Sequence, residues 1–278
     1  MKTVTTINGR IVPESKAVIS VFDNALLYAE GLFETLLGID DRPIFTREHL
    51  ARLHKGAKVI GLKLPVSDAV LVHWMKETLK AHPDRVKKLR LTMTSGESAR
   101  WVGRQGKPQV ILSASPHEIP RDPFRLIVSD FKVDHASVFR NIKTLSYVIS
   151  AAALRQAKDR KFDDAILLNE RNEVAEVTSA NIFWSQGKRV YTPPLSAGCL
   201  EGITRKFVFK EADKIGIKII ERRVDLSGLL QAEEIFISSS LKLVAPVSEI
   251  VAVRRTHRFP VGPVAQQLSV RFDHLVGV

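Results

Sequence analysis

The sequence predicts a mixed α/β chain in two domains, and three observations carry that expectation. Residues 4–12 hold two short strand-like runs around Asn8 and Gly9, the strongest short-range hairpin signal, so the chain opens as a sheet. Segments of helical period at 47–60 and 68–80 are followed by strand-like alternation at 88–94 and 109–114. Prolines 116, 120 and 123 then interrupt the chain, because proline neither continues a sheet ladder nor enters a helix interior. The expected division is a first domain at 1–115, a linker at 116–123 and a second domain at 124–278. A chain of 278 residues is comfortable for two domains, since single cores stop growing at roughly 250.

Each element has its own signal. Leu50, Leu53, Ala57 and Ile60 make the apolar stripe of the first helix, with Arg47, Arg52 and Lys55 on other faces. Asp68 reads as the N-cap of the second helix, and 82–84, His-Pro-Asp, ends it. Between the strands at 88–94 and 109–114, residues 95–106 form a loop rich in glycine and charge, of a length that often lies over a site. Beyond the linker come a strand from Phe124 to Val128, an alanine-rich helix from Tyr147 to about Lys158, and strands at 164–169 and 173–184. A hairpin at Gln186 and Gly187 leads to a strand at 190–192. A helix with Phe207, Val208, Ala212 and Ile215 on its apolar stripe then runs to Gly216, and a strand at 234–241 ends in three serines.

Composition narrows the function. With 45% hydrophobic and 26% charged residues the chain buries a sizeable core. The 42 Lys and Arg against 30 Asp and Glu give +12, which keeps a basic nucleic-acid-binding protein as a remote alternative. The cations are scattered, not gathered in one stripe with interleaved aromatics, and a positive field serves anionic small molecules equally well. Cys199 is the single cysteine, so an intramolecular disulfide and a multi-cysteine metal site are excluded and a reducing compartment fits. No apolar run reaches signal-peptide or membrane-spanning length, and the expectation is a cytoplasmic protein with no membrane and no nucleic-acid partner.

The chemistry centres on 139–147, FRNIKTLSY, where Lys143 stands between Ile142 and Leu145. A lysine among apolar groups has its ammonium disfavoured by desolvation, so it can act as a nucleophilic amine and make Schiff bases. By itself it reads more simply as a surface cation ahead of a helix. Gly198 and Gly202 precede a helix start at Ile203 and Thr204, where free backbone N–H groups and the helix dipole favour an anion, though an ordinary glycine turn has the same pattern. Ser239 and Ser240 can donate to a phosphate or form a plain turn. Arg52 can bind an anion at the edge of its stripe or be solvated, and Glu176 is a strand carboxylate with the same ordinary alternative. Three potential phosphate-binding elements, one carboxylate and one desolvated lysine match what pyridoxal phosphate asks for. No Walker motif, dinucleotide fingerprint or Ser/His/Asp signature competes.

The sequence resembles the fold-type IV pyridoxal-phosphate enzymes, the class IV aminotransferase family of branched-chain aminotransferases, D-amino-acid aminotransferases and aminodeoxychorismate lyases. The resemblance runs from Ile7 to about Val247 and is carried by YAEGLFE (28–34), HLARL (49–53), IKTL (142–145), EVTSANIF (176–183) and GCLEGITR (198–205). It implies a small N-terminal α/β domain, a larger C-terminal pseudo-barrel domain and sites built at a homodimer interface. It also implies that Lys143 is the catalytic lysine that holds the cofactor and carries the proton at the substrate alpha carbon. Glu176 is expected on the pyridine nitrogen, Tyr147 at the ring hydroxyl, and Arg52, Ile203, Thr204 and Ser239 or Ser240 on the phosphate. Tyr28 is expected to face the substrate, with Arg90 of the third strand and Arg100, Arg104 or Lys242 as candidates for its carboxylate.

Tyr147 and Glu34 favour an aminotransferase, acting between an amino acid of branched-chain or D-amino-acid type and a 2-oxo acid. Thr35, the run 240–247 and Thr94 to Gly96 are similar to the aminodeoxychorismate lyases, the alternative on the same scaffold. Ala29 stands where the family usually has glycine, Asn24 where a basic residue often follows Asp23, and Ser146 where asparagine is common.

Overall fold

The Asn8 and Gly9 signal becomes a hairpin: β1 (Val4–Ile7) pairs antiparallel with β2 (Arg10–Val12), and both turn residues sit at positive φ, 49° and 82°. That is the backbone a two-residue hairpin turn requires. The computed structural model describes residues 3–98, 106–187, 189–252 and 255–278. The chain divides into two compact units, Met1–Glu118 with Ile142–Ser146, and Ile119–Asn141 with Tyr147–Val278.

After the hairpin the first unit contains α1 (Asn24–Tyr28), β3 (Gly31–Ile39), β4 (Arg42–Pro43), α2 (Thr46–Ile60), α3 (Asp68–Lys80), β5 (Val86–Thr94) and β6 (Val110–Pro116). Among the described residues six strands form one antiparallel sheet in the order β2-β1-β6-β5-β3-β4. Strand alternation sends Leu32, Leu36, Leu89, Leu91, Met93 and Leu112 to one face, where they bury against Leu50, Leu53 and Ala57 of α2 and Leu71, Met75 and Leu79 of α3. Each of these large side chains contributes about 1.5–3 kcal/mol of burial. Two expectations are corrected here. Pro116 is the last residue of β6, opposite Lys87, so the first of the three prolines ends a strand and does not open a linker. Ser67, not Asp68, precedes α3, and the Asp68 carboxylate instead takes His54 Nε2 at 2.7 Å.

The edge of β3 beyond β4 is used by residues from far along the chain. Phe33 N–H donates to the Lys143 carbonyl (2.9 Å) and Leu145 N–H to the Gly31 carbonyl (3.0 Å), while Ile142 enters the core under α2. The sequence reading kept all of 124–278 together. These five residues group with the first unit because their backbone partners lie on β3.

The second unit contains β7 (Phe124–Val133), α4 (Val148–Asp159), β8 (Asp164–Asn169), β9 (Val174–Val177), β10 (Asn181–Gln186), β11 (Arg189–Thr192), α5 (Ile203–Asp213), β12 (Ile219–Glu221), α6 (Leu226–Leu229), β13 (Glu234–Ser239), β14 (Leu243–Ala252), β15 (Arg255–Arg258) and α7 (Pro263–Val276). Among the described residues its sheet has nine strands, in the order β12-β11-β10-β13-β14-β7-β8-β9 with β15 on β14. Val174 and Val177 of β9 at one end share a single core with Trp184 of β10 and Tyr191 of β11 near the other, along with Leu126, Ile166, Ile235, Ile237 and Val247. Strands that share a core from both ends of the order require a sheet that curls on itself, as the pseudo-barrel expectation holds. On the outer face, Ala153 and Ala157 let α4 approach Ile127, Ala165 and Leu167 closely, and Phe183 stacks on Phe236 at 4.9 Å.

The sequence reading made no element of the last twenty residues, although Pro263 at the first helical turn and Ala265, Leu268, Phe272 and Val276 at helical spacing signal α7. The buried Glu234 carboxylate of β13 accepts from Val264 and Ala265 N–H (3.3 and 3.2 Å), which satisfies the start of that helix.

Gly31 is where the lysine segment meets the sheet, and a Cβ there would lie 2.5 Å from the Met93 carbonyl oxygen and 2.6 Å from Leu145 Cδ1. Gly31→Ala is therefore expected to lower stability by about 1–3 kcal/mol and to loosen residues 142–146. Amide hydrogen exchange checks this: faster exchange at Phe33 and Leu145 is expected, and parental protection there counts against it.

Candidate active site

Lys143 is presented from the extended 143–145 backbone, and its Nζ lies 4.4 Å from the centroid of the buried Phe33 ring. Arg90 of β5 places its guanidinium carbon 3.9 Å from the same centroid and donates from Nε to Thr92 Oγ1 at 3.1 Å. Phe33, Thr35, Arg90 and Thr92 lie on the sheet face opposite the helices, as the pairing of Phe33 with Thr92 and of Thr35 with Arg90 dictates. Two cations thus share one aromatic ring, a favourable cation–π arrangement for each and a repulsive one between them.

The other face of β3 holds Glu34, against Arg52 of α2. Arg52 is buried and not solvated: its Nε and Nη2 donate to the two carboxylate oxygens of Glu34 at 2.8 and 2.6 Å. His49, one turn earlier on α2, completes the group with Nδ1 2.6 Å from Glu34 Oε2. Burial works to raise the Glu34 carboxyl, but the Arg52 charge and the hydrogen bonds from Arg52 and His49 outweigh it and bring the pKa down to about 2. For His49 burial dominates, and with the positive charges of Arg52 and Lys143 it outweighs the pull of Glu34, so the imidazole pKa is lowered. A neutral ring then donates from Nδ1 to the carboxylate.

In the second unit Glu176 stands on β9, buried, and both of its oxygens are engaged. Oε1 accepts from Arg140 Nη2 at 2.6 Å and Oε2 from Leu200 N–H at 2.9 Å. Arg140 also donates from Nε to the Gly198 carbonyl at 2.9 Å. The sequence reading assigned Arg140 no role, although it stands three residues before Lys143 in the same stretch. Its partner was not visible from sequence, because β9 follows after a helix and a strand. Tyr147, at the start of α4, donates its phenol to the Thr178 carbonyl at 2.6 Å, and burial together with the Glu176 charge pushes its pKa upward, so it stays a donor. Cys199 lies beside this group as a buried thiol, pushed up to about 12 first by burial and then by the Glu176 charge. It is no nucleophile at neutral pH.

Ile203 and Thr204 are the first two residues of α5, and the N-cap Gly202 brings no side chain to satisfy the first N–H groups. A Cβ at Gly202 would sit 2.0 Å from Asn181 Oδ1, so only glycine fits that turn. Thr204 Oγ1 is buried without a hydrogen-bond partner, 1% of the residue being exposed, and Ser238 Oγ is likewise buried and unpartnered. Ser239 Oγ accepts from Lys242 N–H at 3.2 Å, and Ser240 follows in the same turn.

The remaining candidates are less engaged. Tyr28 closes α1 and is 43% exposed. Ala29 after it sits at φ 56°, a left-handed helix end that explains why glycine is the usual residue there. Arg100 and Arg104 lie outside the described residues. Arg52, Arg90 and Lys143 thus belong to the first unit, and Tyr147, Glu176, Ile203, Thr204, Ser239 and Ser240 to the second.

Comparison with known proteins matches residues 31–250 to the family described as amino-transferase class IV. The chain is similar to a Methanocaldococcus jannaschii protein provisionally assigned as a branched-chain-amino-acid aminotransferase, with 32% identity over 97% of this chain and 95% of that one. It is similar to the aminodeoxychorismate lyase of Bacillus subtilis, with 30% identity over 89% and 86%, and to the D-alanine aminotransferase of Bacillus licheniformis, with 31% over 87% of each. Among solved structures, the branched-chain aminotransferase of the thermophilic archaeon Thermoproteus uzoniensis with norvaline superposes with a TM-score of 0.90 at 27% identity, covering 99% of this chain and 95% of that one.

The buried Glu34 group makes stability depend on acid. The folded carboxyl lies below its ordinary 4.5, so its contribution, on the order of 3 kcal/mol, is complete above that value and lost as pH falls toward about 2. His49, lowered from 6.5, acts in the same direction: the unfolded imidazole takes up a proton below that pH, so stability falls with it. Denaturant unfolding at a series of pH values is expected to lose midpoint from about pH 6.5 downward. His49→Gln should flatten the upper part of that fall. Glu34→Gln should cost about 3–5 kcal/mol at neutral pH by leaving Arg52 buried and unpaired.

Proposed function

The chain belongs to the class IV aminotransferase family, and from that premise we propose that it is a pyridoxal-phosphate-dependent transaminase acting between an amino acid, of branched-chain or D-amino-acid type, and a 2-oxo acid. The observation that carries the reading is the seat of Glu176. A carboxylate held out of water by an arginine and a backbone N–H is suited to keep a proton on a pyridine nitrogen. The residues present also fit the phosphate end of the cofactor, because the unpartnered Thr204 hydroxyl lies in the first turn of α5, where free N–H groups favour an anion.

Pyridoxal phosphate, when bound, supplies an electron-accepting ring and the carbon on which amino groups are exchanged. In this reading Lys143 Nζ would hold that carbon and would move the proton at the substrate alpha carbon. Glu176 holds the proton on the ring nitrogen, with Arg140 fixing the carboxylate. Tyr147 orients the ring hydroxyl. Ile203, Thr204, Ser239 and Ser240 hold the phosphate together with Arg52, whose guanidinium is already oriented by Glu34. Tyr28, Arg90 and Arg100 serve the substrate. The second reading, elimination of pyruvate from aminodeoxychorismate on the same residues, is favoured by the similarity to the Bacillus subtilis lyase.

We place the protein in the cytoplasm as a homodimer. Val21, Phe22, Leu26 and Leu27 are between 50% and 63% exposed in one short stretch around α1, an apolar surface of the kind that a second copy covers. No described helix is long and apolar enough to cross a membrane.

The deciding experiment mixes cofactor-loaded protein with single L- and D-amino acids and follows the loss of the visible band of lysine-bound cofactor. Conversion by one set of donors is expected and names its hand. A protein that carries cofactor but is converted by no donor, while it releases pyruvate from aminodeoxychorismate, is the lyase. Borohydride reduction followed by peptide mass analysis should place the cofactor on Lys143, and Lys143→Ala should fold and retain none. Leu26→Glu should shift the sedimentation coefficient from dimer to monomer, and a dimer that persists in that variant and in Phe22→Glu counts against this interface.

A further inference from the structure

Among the buried charges of the second unit that the proposed chemistry leaves unused, Asp164 stands beside the turns that carry candidate cofactor residues. Asp164, the first residue of β8, is 1% exposed. Its Oδ1 accepts from Thr178 Oγ1 at 2.5 Å and from Ala165 N–H at 2.8 Å. Its Oδ2 accepts from Ser179 Oγ at 2.9 Å and faces Lys242 Nζ at 3.6 Å. Lys242 Nζ in turn donates to Ser179 Oγ at 2.6 Å, while the Lys242 backbone N–H donates to Ser239 Oγ at 3.2 Å.

Two turns meet in this network. One is 178–180, which follows the end of β9, two residues beyond Glu176, and whose Thr178 carbonyl accepts from Tyr147. The other is 240–242, which carries Ser240 and follows Ser239. We propose that Asp164 and Lys242 are a positioning pair that locks these two turns together, so that the residues for the ring end of the cofactor and those for its phosphate end keep one fixed separation. The inference rests on the reading of Glu176, Tyr147, Ser239 and Ser240 as cofactor residues.

Turn closure alone gives no reason for a buried ion pair. The 178–180 turn is already closed by Val177 N–H to the Ala180 carbonyl (3.0 Å) and anchored by Thr178 N–H to the Ala165 carbonyl (3.0 Å). The strands flanking the two turns are joined by their backbones, Asn181 pairing with Ser238 across β10 and β13; what the pair adds is a side-chain tie past the end of that ladder, where Lys242 holds the first turn through its ammonium and the second through its own N–H. The lysine suits this task because a flexible stem with several donors reaches a hydroxyl and a carboxylate at once. The pair is buried enough to resist screening, with 17% of the Lys242 side chain and 1% of the Asp164 side chain exposed.

The test uses the full chain with pyridoxal phosphate. Lys242→Met keeps the apolar stem and removes the charge. It is expected to raise the dissociation constant for the cofactor by about tenfold or more and to move the absorbance maximum of the bound cofactor; the cofactor-free protein stays folded but melts lower, because Asp164 keeps its hydrogen bonds and loses its cation. Lys242→Arg should restore most of the affinity, and Ser179→Ala should move the same readouts in the same direction as Lys242→Met. Parental affinity and absorbance in Lys242→Met would overturn the proposal. So would a loss of affinity that is not rescued by arginine, since the pair would then be merely structural. A parent protein that takes up no pyridoxal phosphate instead removes the underlying reading of the site, a result distinct from failure of the pair.

Discussion

Two backbone hydrogen bonds, from Phe33 N–H to the Lys143 carbonyl and from Leu145 N–H to the Gly31 carbonyl, are the constraint on which the candidate site depends. They hold the lysine segment extended along β3 and set which way the Lys143 side chain leaves the backbone, onto the Phe33 ring. A segment paired by its main chain tolerates changes in neighbouring side chains but not the loss of close backbone approach. That makes Gly31 more demanding than the residues around it. Ile142, buried under α2, anchors the same segment from the core side.

The second theme is how the chain handles buried carboxylates. Glu34, Asp164, Glu176 and Glu234 are all nearly inaccessible, and each has a different solution. Glu34 takes a bidentate arginine and a neutral histidine, and Glu176 takes an arginine and a backbone N–H. Asp164 takes two hydroxyls, a backbone N–H and a lysine, while Glu234 takes the N–H groups at a helix start. Buried ion pairs contribute little net stability over an apolar packing of the same volume, because desolvation offsets the Coulomb gain. Placement is what such arrangements supply. Three of the four stand within reach of a residue to which a cofactor role is proposed. The fourth joins β13 to α7 and serves the fold alone.

The cationic character of the chain acquires a local meaning from these pairings. Arg52 and Arg140 pair with carboxylates, and Arg90 shares an aromatic ring with Lys143. The +12 charge is therefore not assembled into a single recognition stripe among these residues, and the positive groups near Lys143 favour an anionic ligand there.

Much was legible in the sequence by itself. The Asn8 and Gly9 turn, the amphipathic stripe of α2, the alternation of β5 and the glycine ahead of α5 are local signals, and each needs only the few residues around it to be read. The chemical kit was legible for the same reason: a lysine flanked by Ile142 and Leu145, a strand carboxylate and a glycine-led helix start are recognisable as residue types in order. Tertiary structure decided the partners. Helical spacing put Arg52 off the apolar stripe, yet Glu34 draws it into the interior. Pro116 looked like a break, yet Lys87 across the ladder makes it the end of a strand. Arg140 carried no signal of its own, because the carboxylate it holds belongs to a strand reached only after a helix and another strand. Local periodicity specifies elements, whereas register, facing and the pairing of charges are long-range facts that exist only once distant segments have been brought together.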